Sequence, residues 1–138
     1  YPHLTEYMPY LKENRVLKSL DRHYVIYQYL DFPLVDDRDY VIDVEHIINE
    51  KDNVYGTRWQ SNHNQGPKEL DGVIRLKVNR GSWELHPFEN GRKTHAVYYV
   101  YTDPGGSIPA WVANKVNTIA IPDLFETISE QIKLRKLP

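Results

Sequence analysis

From residue 16 onward, apolar and polar positions alternate along much of the chain with a period of two, which is typical of strands that bury one face. The pattern predicts seven strands, at residues 16–20, 24–30, 40–48, 54–60, 73–78, 82–88 and 92–102. Polar turns separate them: Asn79-Arg80-Gly81 is typical of a tight turn, and Asn90-Gly91 is the strongest hairpin signal because both residues tolerate positive φ. Because the connections are short, we expect an antiparallel meander.

Helical periodicity flanks the predicted sheet at both ends. Residues 1–14 fit a short helix that Pro9 kinks or divides. After Asp103-Pro104-Gly105-Gly106 ends the last strand, one apolar stripe continues almost to the end of the chain. It contains Val112, Val116, Ile119, Ala120, Leu124, Phe125, Ile128 and Ile132. This spacing predicts a long amphipathic helix of about seven turns, kinked or split at Pro122.

Composition narrows the class of protein. The length of 138 residues fits one domain, and the net charge of -2 gives no reason to expect a nucleic-acid partner. The absence of cysteine excludes disulfides, a thiol nucleophile and cysteine-ligated zinc. No apolar run is long enough to span a bilayer, and no signal peptide is visible. Because the chain begins at Tyr1 without methionine, an upstream segment is expected, and a soluble protein of either the cytoplasm or an exported compartment fits.

The residues that could carry catalysis form no recognisable constellation. The six histidines include no His-x-x-x-His pair, so no metal site or cofactor is predicted. His46, on the apolar face of its strand, fits either a hydrogen-bonded core histidine or a ligand or base. Ser107 fits a helix cap, and Asp36, Asp37 and Asp39 fit a solvated turn. These patterns do not require an enzyme.

Two segments carry a resemblance to a known family. The first is Asp36-Asp37-Arg38-Asp39-Tyr40-Val41, which follows the proline-containing loop Asp31-Phe32-Pro33-Leu34. The second runs from Tyr98 to Trp111 and reads Tyr-Tyr-Val-Tyr-Thr-Asp-Pro-Gly-Gly-Ser-Ile-Pro-Ala-Trp. Both resemble the START (StAR-related lipid transfer) domain family, and the second is especially similar to its phosphatidylcholine-transfer branch. The resemblance, which extends to bacterial START proteins, covers essentially all 138 residues.

The resemblance implies an α+β helix-grip fold, in which a curved antiparallel sheet wraps around a long kinked C-terminal helix. It also implies an N-terminal helix and further strands that precede this segment, so residues 1–138 are expected to form a single START-like domain lacking its N-terminal portion. The implied function is to bind, and to transfer, a lipid or other hydrophobic molecule in a cavity between sheet and helix. The implied partners are that molecule and, transiently, a membrane.

Arg38 is the central candidate for ligand binding that the resemblance implies, because the matching arginine of the family points into the cavity. Gln28 stands where some members carry a glutamate, which leaves the arginine's charge available for a phosphate or carboxylate. The alternative is that Arg38 braces its loop by pairing with Asp37 or Asp39. The full set of predicted ligand-binding residues is Arg38, Gln28, Tyr27, Tyr40, His46, Trp59, Trp83, Trp111 and Val116. Core packing remains an alternative for the tryptophans.

A second candidate feature is the apolar loop tip formed by Phe32, Leu34 and Val35. By the family plan it lies beside the C-terminal helix, where it is interpreted as a lid or a membrane-touching tip. The alternative is ordinary packing against the helix. Two other functions remain open: a polyketide cyclase or aromatase-like enzyme that uses His46 with Arg38 or Tyr27, and an interaction module whose cavity is filled by side chains.

Overall fold

A computed structural model describes residues 3–6, 8–33, 35–109, 111 and 121–134. The described strands are β1 (Leu11–Leu20), β2 (His23–Leu30), β3 (Asp37–Asn49), β4 (Val54–Ser61), β5 (Val73–Arg75), β6 (Val78–Phe88) and β7 (Lys93–Asp103). Short 3-10 turns occupy Leu4–Glu6 and His63–Gln65, and helix α1 (Ile121–Leu134) follows the sheet. Most of the first half of the predicted long helix, residues 112–120, lies outside the described residues.

The seven strands form one sheet, in which six strands follow the order β1-β2-β3-β4-β6-β7 and β5 lies off this path. All neighbours along this path are antiparallel, and β5 pairs with the first residues of β3 in parallel. β5 occupies the edge of β3 at residues 37–39, where β4 does not reach, since β4 pairs only with residues 42–49. The predicted α+β class, with an antiparallel sheet followed by a C-terminal helix, is confirmed.

The N-terminal part of the chain differs from the expectation. Residues 11–14 were predicted to end the first helix, but β1 begins at Leu11, which pairs with Leu30. β1 lies at the edge of the sheet in the described chain, and Leu11 is its one buried residue. An exposed edge strand needs no apolar alternation, so its sequence gives a weak strand signal.

The predicted turn at Asn79-Arg80-Gly81 is wrong, because these residues lie inside β6. The chain instead breaks at Leu76 and Lys77, where it passes from the edge of β3 to the edge of β4. Asn79 is buried, and its Oδ1 accepts a hydrogen bond from Trp59 Nε1 at 3.0 Å. A Cβ at Gly81 would lie 2.3 Å from a Trp59 ring carbon, so tight cross-strand packing, and not a turn, explains this glycine.

The sheet packs on both of its faces. The face that meets α1 is called the inner face, because Phe125 of the helix lies 5.3 Å from Trp83 between ring centroids. The opposite, outer face contains a cluster of buried residues, Val25, Tyr27 and Val41. The segment after β4 covers this face: a Cβ at Gly66 would lie 2.3 Å from Cγ2 of Val41. Within the described ranges, no helix combines the length and apolarity needed to cross a membrane.

Candidate ligand-binding site

Strand register places most of the predicted site residues on the inner face. Gln28 pairs with Tyr40, Val44 pairs with Trp59, and alternate residues of a strand point to the same side. The predicted residues that this alternation brings together are Arg38, Gln28, Tyr40, His46, Trp59 and Trp83. Val116 lies outside the described residues.

A polar ladder crosses the inner face from β1 to β3. The Nε2 amide of Gln28 donates to Asn14 Oδ1 at 2.7 Å, and the hydroxyl of Tyr40 donates to Gln28 Oε1. Burial, with a smaller contribution from the nearby Tyr98, raises the pKa of the Tyr40 phenol well above its usual range. Tyr40 is therefore a neutral hydrogen-bond donor, and Gln28 contacts neutral partners, as expected from its lack of charge.

An aromatic wall lines the adjoining part of the inner face. The ring of Tyr98 lies 4.4 Å from Trp83 and 6.0 Å from Trp59, and Phe125 closes the group at 6.4 Å from Tyr98. The predicted lining role of Trp111 has no support here, because that side chain is 54% exposed just beyond the sheet. Tyr98 and Phe125 were not predicted as site residues. Phe125 lies in the apolar stripe of the predicted helix, whereas both faces of the predicted strand at residues 92–102 carry apolar or aromatic residues, so periodicity did not single out Tyr98.

Arg38 lies at one end of this face and is only 3% exposed. Its Nε donates to the Pro104 carbonyl oxygen at 3.4 Å, and its Nη1 donates to the carbonyl of Asp36. The pairing with Asp37 or Asp39 that the alternative reading requires is not seen among the described residues, because both carboxylates project from the opposite face of β3, where Tyr29 donates to Asp37 and Arg75 to Asp39. Among the described residues the guanidinium contacts carbonyl oxygens and no carboxylate, so its charge lacks an anionic partner there.

Tyr27 is removed from the candidate site, because it lies on the outer face, one residue out of phase with Gln28. Its hydroxyl donates to Asp39 Oδ2 at 3.1 Å, and the Arg15 guanidinium lies 5.1 Å from its ring centroid. Burial, and then the charge of Asp39, raises the pKa of Tyr27 to about 12. This position also excludes a direct Tyr27–His46 pair.

His46 lies on the inner face near the far end of β3. Its Nδ1 is 3.1 Å from Thr57 Oγ1, and its ring meets that of Tyr24 edge to face at 5.3 Å. Burial lowers its pKa, so the imidazole is neutral near neutral pH. This environment supports the interpretation as a hydrogen-bonded core histidine. In the described part of the chain, no three His, Asp or Glu side chains are grouped to hold a metal ion.

A buried ion pair on the outer face was missed by the sequence reasoning. Arg75 of β5 donates to both oxygens of Asp39, at 2.6 Å from Nε and 2.8 Å from Nη2. The two side chains are 7% and 1% exposed. Asp39 was assigned to a solvated turn, and no local signal links residues that lie 36 positions apart.

The loop tip has a definite neighbour in the described structure. The half-buried Phe32 has its ring centroid 5.2 Å from that of Tyr10, and Val35 is also half-buried. Leu34 lies outside the described residues. A groove of about 460 Å³ separates the N-terminal segment from α1. It is lined by Glu6, Met8 and Pro9 on one side and by Asp123, Glu126, Thr127 and Glu130 on the other.

A second groove, of about 540 Å³, is lined in part by Lys18, Asp43, Glu45 and Arg58. An ion pair of 2.6 Å joins Arg58 to Glu45 there. Both grooves are open to solvent, and neither is the enclosed chamber between sheet and helix that the resemblance implies. That chamber stays a prediction.

Comparison of the sequence with known proteins finds a curated relative. No family model matches the chain. An uncharacterized protein of Pseudomonas aeruginosa is 36% identical over 105 residues, which are 74% of this chain and 50% of that protein. The chain therefore spans about half the length of this curated relative.

Solved structures give the architecture. A STAR-related lipid transfer protein from Xanthomonas axonopodis superposes with a TM-score of 0.77 at 22% identity, over 95% of this chain and 72% of that one. The human StAR-related lipid transfer protein 5 gives a TM-score of 0.80 at 18% identity, over 96% and 65%. The chain thus has the fold of StAR-related lipid transfer proteins, which confirms the predicted helix-grip architecture.

Proposed function

We propose that this chain is the main part of a START-type lipid-binding domain. In this proposal, the inner face of the sheet and the C-terminal helix hold the apolar part of one lipid, and Arg38 binds its polar group. The observation that carries the proposal is the combination, on one face of this fold, of an aromatic wall with a buried arginine that contacts no carboxylate among the described residues.

The aromatic wall supplies the apolar contribution. Each Å² of apolar surface removed from water contributes about 25 cal/mol to the binding free energy of an acyl chain. Rings of Trp59, Trp83, Tyr98 and Phe125 present such a surface without a charged group. Because apolar contacts are non-directional, they favour a chain or ring of suitable volume and leave the choice of lipid class to the polar end.

Arg38 is the proposed binding partner of the lipid's polar end. A buried guanidinium is costly without an anion, and its planar donors match phosphate or carboxylate oxygens. The carbonyls of Pro104 and Asp36 engage Nε and Nη1. Nη2 has no such partner in the described chain. The proposal therefore favours a lipid with an anionic or zwitterionic group over one with a neutral head.

We propose that the protein acts as a carrier and not as an enzyme. A cyclase-like enzyme on this architecture needs a proton-transfer pair in the cavity. Tyr27 is on the opposite face, so His46 with Arg38 is the remaining combination. The neutral His46 bonded to Thr57 is explained by packing, and turnover of a cyclisable substrate would favour the enzyme instead.

We propose that ligand enters near the loop tip. Phe32 of the tip packs against Tyr10, and the two residues before Tyr10, Met8 and Pro9, line the groove that faces α1. An apolar tip at this place also accounts for a transient membrane contact. Phe32→Ser should slow lipid transfer between vesicles and leave the sheet folded. The matched control is Phe88→Ser, which alters an exposed phenylalanine near the β6–β7 turn. Equal slowing by both variants would contradict an entry route at the tip.

The central experiment uses the full-length protein, because the chain spans about half the length of its curated relative. Native mass spectrometry and organic extraction of the purified protein should reveal a co-purifying lipid at about one per molecule. Fluorescent phosphatidylglycerol presented in phosphatidylcholine vesicles then measures binding, with Arg38→Gln as the matched variant. A protein that neither carries a lipid nor takes one up from vesicles would overturn the proposal and favour the interaction module.

A further inference from the structure

The opening of β3 presents its side chains to the two faces in alternation. Asp37 and Asp39 project to the outer face and Arg38 to the inner face. Contacts of the two acids on the outer face therefore fix the backbone from which the Arg38 side chain extends. Asp39 accepts three hydrogen bonds, two from Arg75 and one from Tyr27. Asp37 accepts a hydrogen bond from the Tyr29 hydroxyl. Both acids are therefore fixed by side chains of other strands.

β5 connects the contacts of Asp39 on the outer face with the surroundings of Arg38 on the inner face. In its parallel register with β3, Arg75 lies beside Asp39, and Ile74 lies beside Arg38 on the inner face. A Cβ at Gly106 would lie 2.8 Å from Ile74 Cδ1, so the connection after β7 passes directly over this isoleucine. The same connection provides the Pro104 carbonyl that accepts from Arg38 Nε. A shift of β5 would move both the backbone beside Arg38 and the acceptor of its side chain.

We propose that the Asp39–Arg75 pair on the outer face is a positioning element for Arg38. It fixes the register of β5 on β3, and β5 in turn supports the connection that orients the guanidinium toward a ligand. The pair has a geometry suited to this role, because two parallel donors on one carboxylate restrain direction as well as distance. The functional consequence, selectivity for an anionic lipid group, rests on the proposed function.

Arginine side-chain NMR tests the positioning role without any ligand. In the 15N-labelled full-length protein, the Nε–Hε signal of Arg38 is assigned by its loss in Arg38→Lys. Arg75→Lys keeps the charge but loses the two parallel donors, and it should shift that signal and lower its order parameter. The matched control, Arg58→Lys, alters another outer-face arginine–carboxylate pair and should leave the signal unchanged. An unchanged signal in Arg75→Lys, or an equal change in the control, overturns the inference.

If Arg75→Lys fails to fold, the double variant Asp39→Asn, Arg75→Gln keeps a neutral hydrogen-bonded pair and serves for the same measurement. It should also shift the Arg38 signal. A folded double variant with an unshifted signal overturns the inference.

Lipid binding then separates the two proposals. Arg75→Lys should weaken binding of fluorescent phosphatidylglycerol by about tenfold, the effect of one charge-assisted hydrogen bond, and leave fluorescent diacylglycerol binding unchanged. In an Arg38→Gln background Arg75→Lys should have no further effect, because it acts through Arg38. If the double variant weakens binding by the product of the two single effects, Arg75 acts independently of Arg38 and the positioning role is overturned. An Arg38→Gln variant that binds both lipids normally overturns the ligand role of Arg38, and the NMR result still decides the positioning.

Discussion

The same substitution should destabilise the protein at one of two buried arginines on adjoining strands and leave its stability almost unchanged at the other. Arg38 is 3% exposed and contacts carbonyls, and the side chain of Arg75 is 7% exposed and pairs with Asp39. Arg75→Leu leaves the buried Asp39 carboxylate without its cationic partner, so we expect it to lower the free energy of unfolding by about 3–5 kcal/mol. Arg38→Leu loses two hydrogen bonds from a charged group to carbonyls, each contributing about 1.5–3 kcal/mol, but it also removes a desolvation cost of several kcal/mol.

The expected net change for Arg38→Leu is therefore within about 1 kcal/mol of zero. Urea unfolding of both variants at neutral pH, followed by the intrinsic tryptophan fluorescence, measures the difference through the transition midpoint. On the same samples, Arg38→Leu should weaken binding of an anionic phospholipid by about ten- to a hundredfold, the effect of losing a charge-assisted hydrogen bond.

The opposite pattern would refute this reasoning. If Arg38→Leu destabilises the fold as strongly as Arg75→Leu and lipid binding is unchanged, Arg38 is a bracing residue that acts through the Pro104 and Asp36 carbonyls. The cost of burying its charge would then be smaller than the stabilisation by its two carbonyl hydrogen bonds.

Three further predictions concern the faces of the sheet. Gly81→Ala should destabilise the protein by about 1–3 kcal/mol in thermal unfolding, because the new Cβ would meet Trp59 and a backbone carbonyl at 2.3 Å; an unchanged melting temperature would contradict the close packing. Stability should fall as pH rises from 10 toward about 12, because the raised pKa keeps folded Tyr27 protonated while the unfolded chain ionises. Tyr27→Phe should reduce that slope in urea titrations, and an unaltered slope would assign it to other groups. His46→Phe should leave lipid binding intact, whereas loss of turnover on a cyclisable substrate with the fold intact would identify an enzyme.

Much of the fold follows from the sequence, because a period of two in apolar residues reports strands that bury one side. β2, β3, β4 and β7 begin and end close to their predicted bounds, and Asn90-Gly91 does turn the last hairpin with positive φ at both residues. The resemblance of the Arg38 and Gly105-Gly106 segments to START domains gave the architecture. It also indicated that Arg38 faces inward, and strand register agrees with this direction.

The error at residues 79–81 has a physical cause, which is that long-range pairing overrides local signals. Asn79 and Gly81 read as a turn, yet Trp59, on a neighbouring strand, occupies the space beside both. Tyr27 was grouped with Gln28 although adjacent strand residues point to opposite faces, a constraint that the sequence did contain.

What the sequence by itself determined is the alternation of inner strands such as β3 and β4, and the presence of a charged residue, Arg38, just before the predicted strand at residues 40–48. Tertiary structure alone decided which partner each charge has. Asp39 is adjacent to Arg38 in the chain, but its partner is Arg75, 36 positions away, because β5 returns to pair in parallel beside it. Local periodicity records which side of a strand is buried, whereas the pairing of buried charges depends on strand neighbours, which only the assembled sheet defines.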